Sequence, residues 1–166
     1  MKVQELMTTN VSVCGPETNL AEAAGLMWER DCGMLPVVAD DGKVIGVITD
    51  RDICMAVATR NRLASEIGVR EVMSGQTHAC RATDDVKHAL RIMEREQVRR
   101  TPVVNGEGKL QGVLTISDIV LHAEDGRKRH AELNHEDAVV ALKAICADRR
   151  PEASPQSSQK SAATQV

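Results

Sequence analysis

The 166-residue sequence predicts an α+β fold in which one β-α-β-β-α unit is used twice, with a pseudo-two-fold relation between the copies, followed by a C-terminal helix and a disordered tail. Two observations carry this reading. Residues 3–57 align with residues 69–123 at a constant offset of 66, without a gap and with 16 identities in 55 positions. Within each copy the apolar residues also switch from helical to strand spacing in the same order. A copy of this size is too small to bury a good core alone, so the two should pack on each other and leave a matched pair of clefts between them. The divisions expected are 1–67 and 68–124 for the repeats, 125–150 for a helical extension and 151–166 for the tail.

Each copy opens on a polar entry ending in Met7 or Met73, followed by an extended segment at 11–13 or 77–79. In the first copy Leu20, Ala23, Ala24 and Met27 then recur at helical spacing after Thr18 or Asn19, either of which can cap a helix. In the second copy Val86, Ala89, Leu90 and Met93 do so after Asp84 or Asp85. Pro36 and Pro102 open paired apolar strands, 36–39 with 43–49 and 102–105 with 109–115. Asp40-Asp41-Gly42 and Gly106-Glu107-Gly108 join them, and Asp-Gly between apolar runs signals a hairpin. A last helix starts near Asp50 and near Ile116. Beyond the second copy, Asn134-His135-Glu136-Asp137 caps a helix whose expected apolar stripe is Ala138, Val139, Leu142, Ile145 and Cys146. The tail, rich in Ser, Gln, Ala and Pro, is expected to be disordered.

Composition narrows the function classes. The net charge is −3 and the pI about 6.0, so nothing asks for a polyanionic partner. With no Phe, no Tyr and one Trp, the chain lacks the aromatic platforms that single-stranded nucleic acid needs, and no nucleic-acid partner is expected. Arg60/Arg62 and the basic group at 127–129 read as solvated surface. No apolar run approaches a membrane span and the N-terminus does not resemble a signal peptide, so a cytoplasmic protein without a membrane partner is expected. Five scattered cysteines, never in a Cys-x-x-Cys spacing, fit free thiols. Cys14 and Cys80 occupy equivalent positions; they read as small buried hydrophobes, with a redox pair as the rival reading. His122, His130 and His135 show no ligand spacing, and no metal is expected. No nucleophile motif or Walker-type loop occurs, so no catalysis is expected.

The informative motif ends each copy. Gly46-Val47-Ile48-Thr49-Asp50-Arg51-Asp52-Ile53 falls on Gly112-Val113-Leu114-Thr115-Ile116-Ser117-Asp118-Ile119. Gly46 and Gly112 allow another chain segment or a ligand to approach the backbone. Thr49 and Thr115 stand where a helix begins, and their hydroxyls with the free N–H groups there can hold a phosphate. Asp52 and Asp118, three residues on, can accept hydrogen bonds from a vicinal diol such as ribose. Thr-x-x-Asp is equally the spacing of a helix cap. Its doubling at one offset, each time after an apolar strand, favours a ligand role with which capping is compatible.

These elements, with Glu-Leu-Met, Leu-Pro-Val-Val and Val-Arg-Arg-Thr-Pro-Val-Val, resemble a tandem cystathionine β-synthase (CBS) domain pair over residues 3 to about 123, in the manner of small stand-alone bacterial CBS-pair proteins. The resemblance implies a disc-like module that dimerises and binds adenosine ligands between its repeats: AMP, ADP or ATP, with S-adenosylmethionine or NAD also possible. No cofactor is required. The resemblance carries Thr49, Asp52, Thr115 and Asp118 over as phosphate and ribose contacts, and Arg100, with Arg99 beside it, as the basic phosphate ligand. It places the segments near Val11 and Thr77 along the adenine pockets. The first copy departs from the pattern with Gly33-Met34, so the two clefts should differ. The function expected is therefore non-catalytic and regulatory: a homodimer that senses an adenine nucleotide and signals in trans to an unidentified protein. An interaction adaptor with vestigial clefts and a thiol redox sensor are the rivals. The dimer face is expected among Leu26, Met27, Trp28, Ile53 and Met55, with Ile92, Met93, Glu94, Ile119 and Leu121 as second-copy equivalents.

Overall fold

The computed structural model describes residues 1–124 and 133–147; the basic group at 127–129, His130 and the tail lie outside the described residues. The first repeat contains α1 (Leu20–Glu29), β1 (Met34–Val38), β2 (Val44–Thr49) and α2 (Asp50–Arg60). The second contains β3 (Cys80–Arg81), α3 (Val86–Glu96), β4 (Arg100–Val104), β5 (Leu110–Thr115) and α4 (Ile116–His122), and α5 (His135–Cys146) follows. Of the alternative caps, Asn19 and Asp85 are used: Asn19 Oδ1 accepts from the Glu22 amide at 3.0 Å and Asp85 Oδ1 from the Lys87 amide at 2.9 Å. The mixed α/β architecture and the order of elements follow the repeat.

The opening strands form slightly later than the apolar segments suggest. In the first repeat only Cys14 pairs, in a parallel bridge to Val37. In the second, Cys80 and Arg81 pair in parallel with Val103 and Val104. The hairpin strands begin two residues before their prolines, at Met34 and Arg100. Register explains why a proline is tolerated inside each. Pro36 lies opposite Val47, and Val47 exchanges both of its backbone hydrogen bonds with Ser74 on its other side, at 3.1 and 2.9 Å. Pro102 lies opposite Val113, which does the same with Thr8, at 2.9 Å in both directions. Each proline therefore occupies a non-hydrogen-bonded pair, where the ladder needs no N–H.

Those bonds to Ser74 and Thr8 tie the repeats together. Thr8 belongs to the first copy by sequence but borders β5 of the second; Ser74 opens the second copy but borders β2 of the first. The exchange extends along both entry segments. Val3 N donates to Asp84 O and Val86 N to Met1 O, just as Val69 N donates to Thr18 O and Leu20 N to Ile67 O. The two cores follow suit. Val3 and Leu6 are buried with Val86, Met93, Leu114 and Ile119, whereas Ile67 and Val69 are buried with Leu20, Leu35, Ile48 and Ile53. The hairpin tips also meet, with Val44 N donating to Gly108 O at 3.1 Å. Gly42 and Gly108, at φ +82° and +81°, form the turns that bring them there.

α5 breaks the symmetry. It packs on α3 and α4 and closes the second core with Leu133, Ala138, Ala141 and Ile145. Val139 and Cys146, expected in its apolar stripe, are exposed instead, because the buried face runs through 138, 141 and 145 and leaves them to one side. Gln97 Nε2 donates to the carbonyls of Ala144 and Ala147 at 3.1 and 3.0 Å, and Lys87 pairs with Asp137 at 3.0 Å. Of the residues expected on an open dimer face, Met27, Ile53, Ile92, Met93 and Ile119 are buried within the chain; Trp28, Met55 and Leu121 are exposed.

The crossings leave no room for a side chain. A Cβ at Gly46 would lie 2.6 Å from the Ser74 carbonyl oxygen, and one at Gly112 would lie 2.6 Å from that of Thr8. Gly46→Ala and Gly112→Ala are each expected to cost roughly 1–3 kcal/mol, the range of an overpacked contact that must displace backbone. Urea unfolding of the two variants checks this, and pseudo-symmetry requires losses of similar size.

Candidate functional site

The two strand-to-helix junctions are near copies. Thr49 caps α2: its hydroxyl donates to Asp52 Oδ2 at 2.7 Å and accepts from the Asp52 amide at 3.2 Å, while the Thr49 amide donates to the same Oδ2 at 2.9 Å. At Thr115 and Asp118 the corresponding distances are 2.8, 3.1 and 2.8 Å. The motif is thus a capping box in both repeats. Only Oδ2 of each carboxylate is used for it, and Oδ1 remains able to accept from a ligand. All four side chains are half-buried. On the face where Gly46 and Gly112 lack a side chain, the group that approaches is the backbone of the other repeat.

Arg100 joins the two repeats. Its Cα lies opposite Thr115 in the β4–β5 ladder, yet its side chain extends to the first repeat. A Cβ at Gly33 would lie 2.9 Å from Asp50 Oδ2 and 3.3 Å from Arg100 Nη2, so Gly33, Asp50 and Arg100 meet at one corner. The same residues line a cleft of about 520 Å³ with Trp28, Cys32 and Cys54. Arg99 is exposed, and its carbonyl accepts from the Ile116 amide at 2.9 Å. Asp50, at the same corner, is not singled out by the Thr-x-x-Asp spacing. It holds the place that Ile116 holds in the second repeat, and that charged-for-apolar difference was the available signal. Asp50 Oδ1 also accepts from the Arg51 amide at 2.7 Å, and with Asp52 it gives the first turn of α2 two carboxylates where that of α4 has Asp118 alone.

Val11 and Thr77, both half-buried, lie in the segments that cross between repeats. Residues 9–13 run from the Thr8 bridge on β5 to the Cys14 bridge on β1, and residues 75–79 from the Ser74 bridge on β2 to β3. The second segment has an anchor that the first lacks. Thr101, fully buried, donates its hydroxyl to the His78 carbonyl, whereas Leu35 holds that position in the first repeat. Cys14 and Cys80 close the crossings. Burial pushes both thiols up to about 11 from 9.0; at Cys80 the nearby Asp84 charge adds to this, and a hydrogen bond with Thr101 partly opposes it. Among the described residues no group of three or more His, Cys, Asp or Glu side chains is arranged to hold a metal, and no helix is long and apolar enough to cross a membrane.

The CBS domain family model matches residues 3–59 and 69–125, and the chain belongs to that family as a tandem pair. It is 32% identical over 143 residues to hypoxic response protein 1 of Mycobacterium tuberculosis, covering 86% of this chain and 92% of that one. A crystal structure of Hypoxic Response Protein I with two coordinated zinc ions superposes with a TM-score of 0.68 at 31% identity, over 75% of this chain and all of that one. A CBS domain protein of Pyrobaculum aerophilum complexed with AMP superposes with a TM-score of 0.66 at 27% identity, over 72% of this chain and 90% of that one.

The buried thiols yield a test with a definite sign. Between about pH 9 and pH 11 the unfolded chain sheds the Cys14 and Cys80 protons that the folded chain keeps, so stability falls as pH rises through that window. Replacing both by Ala is expected to remove this part of the fall in urea unfolding at pH 8 and pH 10.5. A mild alkylating reagent at pH 7 should label the exposed Cys54 and Cys146 quickly and Cys14 and Cys80 slowly.

Proposed function

We propose that this chain is a non-catalytic, regulatory CBS pair that binds an adenine nucleotide of the AMP, ADP or ATP class between its repeats and signals in trans to a separate cytoplasmic protein, acting as a homodimer. S-adenosylmethionine and NAD fit the same chemistry. The observation that carries the reading is the doubled Thr-x-x-Asp, preserved in one geometry at both strand-to-helix junctions of a CBS pair. The cap uses one carboxylate oxygen of each Asp and leaves the other able to accept from a ligand. The AMP held by the Pyrobaculum aerophilum protein supports the ligand class.

The roles follow from the atoms left available. Oδ1 of Asp118 accepts from the ribose hydroxyls, and the backbone around Thr77 borders the base. Thr115 and Arg100, which face each other across β4 and β5, take the phosphates. In the first cleft Thr49, Asp52 and Val11 hold the equivalent places, but Met34 stands where Arg100 does. The second cleft is therefore the stronger anion site. Segments 9–13 and 75–79 each begin on one repeat and end on the other, so a ligand seated on them favours one relative arrangement of the two. That population shift is what a partner reads. Burial of Cys14 and Cys80 weighs against the redox-sensor reading.

Calorimetry with AMP, ADP, ATP, NAD and S-adenosylmethionine tests the proposal. A ligand at 100 times its Kd should raise stability by about 2.7 kcal/mol. Asp118→Ala should weaken binding by about 1.5–3 kcal/mol, the value of charged hydrogen bonds, in addition to its cost to the α4 cap. Arg100→Met, which copies Met34, should flatten any preference for ATP over AMP. No binding of any of the five at millimolar concentration would transfer the case to the adaptor reading.

A further inference from the structure

We propose that Cys32 and Cys54 form a peroxide-reactive dithiol site, in which a hydroperoxide oxidises the exposed Cys54 and Cys32 then closes the pair into an intrachain disulfide. This goes beyond nucleotide binding and does not depend on it, and it uses neither Cys14 nor Cys80.

All five cysteines are free thiols. Cys14 and Cys80 are equivalent by sequence and each is buried in one of the two cores. Cys146 ends α5, outside the repeats. Cys32 and Cys54 differ from these three in sharing a site. Both line one cleft of about 520 Å³, together with Trp28, Asp50 and Arg100. Cys54 is exposed on α2 and Cys32 is half-buried beside it in that lining. At the offset of 66 the second repeat has Val98 and Val120 in their places. Valine therefore meets the packing needs of both positions, and packing alone does not call for sulfur at either.

The backbone brings the two positions together. The Cys32 amide donates to the Met27 carbonyl at 3.0 Å, which holds the 31–33 turn against the end of α1. The Asp50 amide donates to the Gly33 carbonyl at 3.5 Å, which sets the same turn beside the start of α2. Cys54 lies four residues on from Asp50, next along the same helix face. Cys32 also packs on the first core, to which Ile53 of α2 belongs. A disulfide asks for Cα atoms roughly 4.4–6.8 Å apart, and Gly33 gives the turn the freedom to settle at that separation.

The chemistry balances with the peroxide as the sole oxidant. Cys54 Sγ, as thiolate, attacks one peroxide oxygen and the O–O bond breaks. The other oxygen leaves as water with the proton of the thiol, or as an alcohol from an organic hydroperoxide, and Cys54 becomes a sulfenic acid. Cys32 Sγ then attacks Cys54 Sγ, the S–O bond breaks, water leaves with the Cys32 proton and the S–S bond forms. Two electrons pass from the thiols to the peroxide. The new bond ties the 31–33 turn to α2, one helical turn from the corner where Arg100 of the second repeat meets Asp50.

Thiol counting on the whole chain tests this. After hydrogen peroxide in modest excess at pH 7, alkylation of the unfolded chain should label three cysteines where the reduced chain labels five, and peptide mapping should join 32 to 54 within one chain. Trp28, the single tryptophan, borders the same cleft, so the disulfide should quench its emission and dithiothreitol should restore it. Cys32→Ser should stop at the sulfenic acid on Cys54, which dimedone traps. Cys54→Ser, at an exposed position that leaves circular dichroism unchanged, should keep its four thiols and a steady Trp28 emission. Five labelled thiols after peroxide, a bond to Cys146 or a covalent link between two chains would overturn the proposal.

Discussion

The exchange of backbone hydrogen bonds between Val47 and Ser74, and between Val113 and Thr8, is the constraint around which the rest of the molecule is arranged. It determines where each proline can stand, because Val47 and Val113 must turn their polar groups away from Pro36 and Pro102. It requires Gly46 and Gly112, since a carbonyl oxygen occupies the space a Cβ would need. It covers the outer edges of β2 and β5, which would otherwise present unpaired backbone. It also places Val3 in the second core and Val69 in the first, so neither repeat completes its core without the other's entry segment. A duplicated unit that cannot close alone is thereby made into one domain.

The same exchange creates the candidate site. Because each entry segment pairs first with one repeat and then with the other, residues 9–13 and 75–79 must cross the space between the sheets. Val11 and Thr77 lie on those crossings, each between a bridge to one repeat and a bridge to the other. The two sides have since diverged at a few positions. Thr101 against Leu35 gives one crossing an anchor through His78. Arg100 against Met34, and Ile116 against Asp50, change the charge at the helix starts. Pseudo-symmetry of the backbone is thus compatible with clefts of unequal electrostatic character, and the Arg100 side chain reaches from the second repeat to Gly33 and Asp50 of the first.

Much of this was legible in the residues. The offset of 66, the Gly turns at 42 and 108, the caps at Asn134 and at Thr49 and Thr115, and the inequality at Arg100 all follow from local chemistry or direct comparison of the copies. The entry-segment exchange was not legible, because a periodic pattern states what a segment packs against in kind, not which copy supplies it. Val3 and Val69 look identical in sequence whether or not they are exchanged. Asp50 was passed over because a charged residue in the first turn of a helix is explained by the helix dipole alone; its meeting with Arg100 depends on the packing of two repeats. In the α5 stripe Ala138, Leu142 and Ile145 meet the core as expected, whereas Val139 and Cys146 are exposed and Ala141 is buried, because neighbouring helical sets are equally periodic and only the surface of α3 chooses between them.

α5 bears on assembly as well as on stability. A tandem duplication begins with two equivalent helical faces, and a chain with two sticky faces can link end to end without closing. Covering one face within the chain removes that possibility. The second repeat meets α5 with Lys87 paired to Asp137 and Gln97 bound to the last carbonyls of the helix, polar contacts for which the first repeat offers Ala21 and Asp31 at the corresponding positions. The first repeat offers instead an exposed tryptophan beside small residues. Among the described residues, the asymmetry that α5 introduces therefore leaves one of two equivalent helical faces covered within the chain and the other open.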